Sequence, residues 1–169
     1  MNDILVLIGF EGRHRIDEYT FANDAMRGPV KTLPLPGNLK RMHRNVGLEA
    51  LGTLQGGHYA GAVVAISEHL LSPEGDHTGA IIIGGQSSPL YFARTDEFDI
   101  TDIKGLKDGS ILLLERSFDN TTFHLETRIR HIPAKDIKPD AYLIGDELLR
   151  AGPEMQIDNF EGLAISEGT

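Results

Sequence analysis

Apolar positions in this chain fall in short runs rich in Ile, Val and Leu, each closed off by Gly, Pro, Asp or Asn. Runs of this kind predict β-strands rather than helices. Ten are expected, at roughly 4–10, 14–21, 49–54, 61–67, 79–84, 89–94, 110–116, 122–132, 141–145 and 162–166. Segment 122–132 alternates: Phe123, Leu125, Thr127, Ile129 and His131 share one face, and His124, Glu126, Arg128 and Arg130 the other. That pattern predicts one packed face and one wet face. Ala62–Ile66 and Ile111–Leu114 are instead continuously apolar, as strands buried on both faces would be. Gly84-Gly85 and Gly56-Gly57 read as hairpin turns. The best helical candidate is the short stretch Glu147–Arg150, and no βαβ spacing is present, which argues against a parallel α/β sheet.

The pattern also repeats. An apolar strand runs into a glutamate at Glu11, Glu68 and Glu115, spaced 57 and 47 residues apart. Glu49 and Glu161 each precede a similar strand, and Asp102 lies between them at a comparable phase. Units of roughly 50 residues with about four strands each are the signature of propeller blades, sheets that bury their faces only by stacking on neighbours. The expected fold is therefore all-β: a partial β-propeller of about three four-stranded antiparallel blades, with insertions at 22–44 and 70–78. Residues 1–169 form a single domain. The strand pattern begins at Ile4 and is still running at Gly162–Thr169, so the propeller is expected to be incomplete at both ends.

Composition narrows the chemistry. The chain has 169 residues, with 40% hydrophobic and 24% charged, as in a soluble globular protein. The net charge of −9 opposes binding to phosphate backbones, so nucleic acid is not an expected partner. No apolar run is long enough for a membrane span, and no signal peptide opens the chain. Cysteine is absent, which removes disulfides, thiolate catalysis and Cys-based zinc sites. The seven histidines show no zinc-ligand spacing, and Ser67 and Ser166 lack a nucleophile-elbow context.

Carboxylates remain. Repeated positions of a propeller face one axis, so the repeated acids would converge there and repel one another unless a cation neutralises them. Oxygen-only ligands suit a hard divalent cation, Ca²⁺ for example. Glu49, Glu68, Asp158 and Glu161 are the candidate metal ligands; Glu49, Glu115, Glu161 and Arg116 are the candidate catalytic residues. Arg116 would orient an anionic group, since a guanidinium grips phosphate in bidentate fashion. The alternative for each carboxylate is a structural partner, an arginine or a turn amide.

Five stretches carry a family resemblance: Phe10–Ile16, Asn45–Leu51, Ala65–Glu68, Leu106–Arg116 and Asp158–Ala164. In that order they resemble the phytase-like propeller family described as "esterase-like activity of phytase". The resemblance implies bacterial proteins about twice this length, periplasmic or secreted, with phosphoester or ester hydrolase activity on a small anionic substrate. A non-catalytic ligand- or protein-binding propeller is the rival expectation, and an inactive truncated product a third.

Overall fold

The computed structural model describes residues 4–43, 47–155 and 157–166, without the Glu68 side chain. Strands β1 (Ile4–Phe10), β2 (Arg15–Ala22) and β3 (Ala25–Leu33) form a first antiparallel sheet. One helical turn, α1 (Gly37–Lys40), follows. Strands β4 (Leu48–Thr53), β5 (Val63–Leu71), β6 (His77–Ile83) and β7 (Gln86–Phe92) form the second sheet in chain order. The third begins with β8 (Asp99–Gly105), β9 (Ile111–Asp119) and β10 (His124–Ile132). The two-residue β11 (Tyr142–Leu143) then returns to pair in parallel with β7, and β12 (Asp146–Ala151) completes the third sheet beside β10. Among the described residues the protein is thus mostly β, with three sheets and almost no helix.

Continuous apolar runs fold as expected where two neighbours cover a strand. On β5, Val64 and Ile66 join one core with Ile100, Ile103, Ile111 and Leu113 of the third sheet. Val63 and Ala65 join the other core with Ile16, Leu33 and Leu39 from the first sheet and α1. The middle sheet is sandwiched, and each buried Val, Ile or Leu contributes about 1.5–3 kcal/mol. Gly84 and Gly85 turn β6 into β7 with φ of 56° and 85°, the conformation a two-residue hairpin needs.

First strands of neighbouring sheets come close. A Cβ at Gly105 of β8 would lie 2.2 Å from the Thr53 carbonyl oxygen of β4. A Cβ at Gly52 would lie 3.0 Å from the Ile103 carbonyl oxygen. Strands β1, β4 and β8, with residues 163–166, line a groove of about 880 Å³.

Four elements differ from expectation. The 22–44 insertion contains β3 and α1; β3 carries Pro29 and is exposed along nearly its whole length, so no buried face marks it. Strand β8 escapes the alternation test because its register shifts between Ile100 and Asp102, which lets Ile100 and Ile103 both be buried despite odd spacing. Glu147–Arg150 is strand, not helix: it lies in β12, hydrogen-bonded to β10. Residues 162–166 have no regular structure but are tied to β8, the Leu163 amide donating to Asp102 Oδ2 at 2.7 Å.

Register also revises the repeat. Leu48 pairs with Ser67 and Ile100 with Glu115, each beside a register shift. Glu115 therefore matches Ser67 in the second sheet, not Glu68. The same shifts place Glu49 with Thr101, so Asp102 matches Ala50. A slip of one residue turns a side chain to the opposite face, and similarity along the chain cannot detect it. Glu11 follows β1, the first strand of its sheet, whereas β5 and β9 are second strands.

Candidate functional site

Glu115 lies at the centre of a buried ionic cluster. Its neighbours across the β9–β10 ladder place Arg128 directly opposite and Arg130 two residues on, on the same face. Arg128 donates from Nε to Glu115 Oε2 at 2.7 Å and from Nη2 to Oε1 at 3.3 Å. Arg130 donates from Nε to Oε2 at 3.0 Å and from Nη2 to Oε1 at 2.7 Å. Glu115 is 0% exposed, Arg128 2% and Arg130 3%. Half of the β10 face expected to be wet, Arg128 and Arg130, is therefore buried, because one carboxylate accepts from both guanidinium groups, while His124 on the same face is exposed. The remaining donors reach Thr95 and the Ile144 carbonyl, and the Phe98 ring lies under Arg128 at 4.2 Å. Opposite charge and near-complete hydrogen bonding make that burial tolerable.

The next residue on β9 points the other way. Arg116 faces a cleft of about 500 Å³, with Arg94, Asp99, Phe118, Leu125 and Asn159 among its walls. Arg116 Nη1 donates to Glu161 Oε1 at 2.8 Å and to Asn159 Oδ1. Asn159 Nδ2 donates to the same Glu161 oxygen at 2.6 Å. Among the described residues, Arg116 Nε and Nη2 have no protein partner, so two donors are available to an anion. Arg94 also lines the cleft, its Nε donating at 3.1 Å to Oδ1 of Asp99, the residue paired with Arg116 across the β8–β9 ladder. The strand fixes Arg116; the irregular C-terminal segment brings Asn159 and Glu161 across 43 and 45 residues of sequence.

The other expected residues lie apart or are otherwise engaged. Asp158 is exposed, and its Oδ1 accepts from the Asn159 amide at 2.7 Å. Glu49 sits half-buried on β4 beside the register shift. The Glu68 side chain lies outside the described residues. Asp102 accepts from the Ile103 and Leu163 amides and from Lys104 Nζ. Among the described residues, no three His, Asp or Glu side chains are arranged to hold a metal ion. Of the candidate ligands, Glu161 is held by Arg116 and Asn159 and Asp158 by a backbone amide, partners that a metal ion would have to displace. No helix among the described residues is long and apolar enough to cross a membrane.

Two residues near the cleft gave no signal in the sequence. Arg94 follows β7 in no repeat or motif. His77, fully buried, donates from Nε2 to the Phe98 carbonyl at 2.9 Å, with Asp99 Oδ1 at 3.9 Å. That bond fixes the proton on Nε2 of the neutral ring; Nδ1 is buried with no partner. Burial holds the His77 pKa below its usual value, against the opposing pull of Phe98 and Asp99.

No curated protein and no solved structure matches the chain. The family model described as "Phytase-like: Esterase-like activity of phytase" does match, over residues 2–169. With nearly the whole sequence covered, and with the acidic and arginine positions of the Arg116 cleft inside the match, the chain belongs to the phytase-like family.

Proposed function

We propose that this protein hydrolyses a small anionic ester, of the phosphoester class, at the Arg116 cleft. One observation carries the reading: Arg116, Asn159 and Glu161 meet at a cleft that also presents Arg94. The two guanidinium groups would hold the phosphoryl oxygens, since paired arginines recognise that geometry and stabilise charge as it builds. Glu161 would act as general base. Its carboxylate takes a proton from water as the water oxygen bonds to phosphorus and the ester P–O bond breaks. The departing alkoxide or phenoxide takes its proton from solvent. Glu115 in this reading does not touch substrate; it anchors the strand that aims Arg116.

We further propose that the three sheets are successive propeller blades, with β4 and β8 as innermost strands along the 880 Å³ groove. The chain would then be part of a larger ring.

The engaged carboxylates favour a second reading, a propeller that binds an anionic ligand without turning it over. Assays on phosphomonoester, phosphodiester and carboxylester substrates separate the two. They should be run with the wild type, Arg116→Ala and Glu161→Gln, each with and without chelator. Turnover lost in both variants and indifferent to chelator supports the hydrolase. Turnover unchanged in both variants rules out this cleft, and absence of turnover on all three classes leaves the binding module.

A further inference from the structure

We infer that the Arg116 cleft selects esters bearing one phosphoryl head and an aromatic body, and discriminates against polyphosphorylated substrates. The inference rests on the reading of this cleft as the site, and it specifies what the site would take. Arg116 and Phe118 are two residues apart on β9 and so share a face. Across the ladder, Leu125 stands opposite Phe118 and Thr127 opposite Arg116. The face therefore presents a cation and, about 6.6–6.8 Å along the strand, an apolar platform. A phenyl phosphate carries a charged head and an apolar ring, one for each.

Phe118 is 50% exposed and packs edge-on against Phe123, itself 78% exposed, with ring centroids 6.4 Å apart. An aromatic pair this exposed at a cleft mouth is a candidate contact surface. The hairpin tip that carries it is pinned. Asp119 accepts from the Thr121 amide and hydroxyl at 2.7 and 2.6 Å and from the Thr122 hydroxyl at 2.7 Å. A preorganised ring loses little entropy when a ligand ring stacks on it.

Charge supplies the discrimination. Glu97 and Asp99 line the same cleft, Glu161 is bonded at Arg116, and the whole chain carries −9. Arg94 and Arg116 both line the cleft and would share a single phosphoryl group. Additional phosphates would meet carboxylates, and like-charge repulsion would weaken their binding.

The test is calorimetric titration of the full chain with phenyl phosphate, methyl phosphate and inositol hexakisphosphate, repeated with Phe118→Ala and Phe118→Leu. Phenyl phosphate should bind about tenfold tighter than methyl phosphate, as an added aromatic contact implies. Phe118→Ala should erase the difference and Phe118→Leu keep part of it. Because Phe118 is half-exposed, folding should survive; circular dichroism checks this, with the leucine variant as the fallback. Equal binding of the phenyl and methyl esters, tightest binding of inositol hexakisphosphate, or no binding of any ester each overturns the inference. Selective binding of phenyl phosphate without hydrolysis sustains it while removing the hydrolase reading. Hydrolysis without aromatic preference does the reverse.

Discussion

Glu115 in the third sheet and Ser67 in the second occupy the same place, each opposite the residue that precedes a register shift in the first strand of its sheet. Both are buried, and each is bonded toward the third strand of its own sheet. Ser67 Oγ donates to the Thr78 carbonyl at 2.8 Å, and Glu115 accepts from Arg128. A neutral pair holds one sheet and a charged cluster the other. The third sheet also uses the cluster to catch Thr95 and Ile144 outside its own strands.

The cluster should therefore be expensive to break. Glu115→Ala leaves two guanidinium groups buried without their anion, a change that typically costs about 3–5 kcal/mol. Urea unfolding measures it. A loss below about 1 kcal/mol, the range of an exposed ion pair, would show that the cluster is hydrated rather than sealed.

Gly105→Ala tests the approach of β8 to β4. The added Cβ would sit 2.2 Å from the Thr53 carbonyl oxygen, and neither backbone can yield without parting the two sheets. We expect destabilisation at or above the roughly 1–3 kcal/mol of ordinary overpacking. By contrast, Gly61→Ala meets nothing within 4 Å; its cost would come only from a φ of +81°. If the two variants melt together, the close approach is not what requires glycine at 105.

Sequence alone made β5 and β9 legible because burial on both faces leaves an unbroken apolar run. It missed β8 because a register shift converts alternation into a spacing of three, and β3 because an exposed strand keeps no apolar face. Arg116, Asn159 and Glu161 were each visible, but their meeting depends on where an irregular segment lies, and no periodicity encodes that. The burial of Arg128 and Arg130 was hidden because a charged face opposite a glutamate reads the same whether it meets water or that glutamate. The one-residue offset between Glu68 and Glu115 followed from counting along the chain where the sheets count by hydrogen-bonded pairs.

His77 links stability to pH. Its folded pKa lies below the unfolded value of about 6.5, so the unfolded chain binds the extra proton first as pH falls. The contribution of neutral His77 is complete above the unfolded pKa and declines as pH drops from about 6.5 toward the lower folded pKa. Denaturant unfolding at pH 7.5, 6.5 and 5.5 on wild type and His77→Gln checks this, the three values bracketing about 6.5. The variant should be less stable at the highest pH and lose less on acidification. An equal loss in both proteins would assign the acid sensitivity to other groups.

Glu161 and Arg116 make opposite demands on an anionic ligand, and this yields a prediction of sign. The Glu161 carboxylate bonds Arg116 Nη1 at 2.8 Å and repels an arriving phosphate. Glu161→Gln keeps the size and a hydrogen-bond acceptor but removes the negative charge. Inorganic phosphate should then bind more tightly, while turnover falls by about 10²–10⁴-fold through loss of the general base. Arg116→Lys should weaken phosphate binding, because an ammonium cannot supply the two parallel N–H donors of a guanidinium. Titration with phosphate beside kcat and KM measurements separates these effects. Weaker phosphate binding in Glu161→Gln would mean that the carboxylate chiefly holds Arg116 in place, and Glu161 would then be a positioning residue rather than the base.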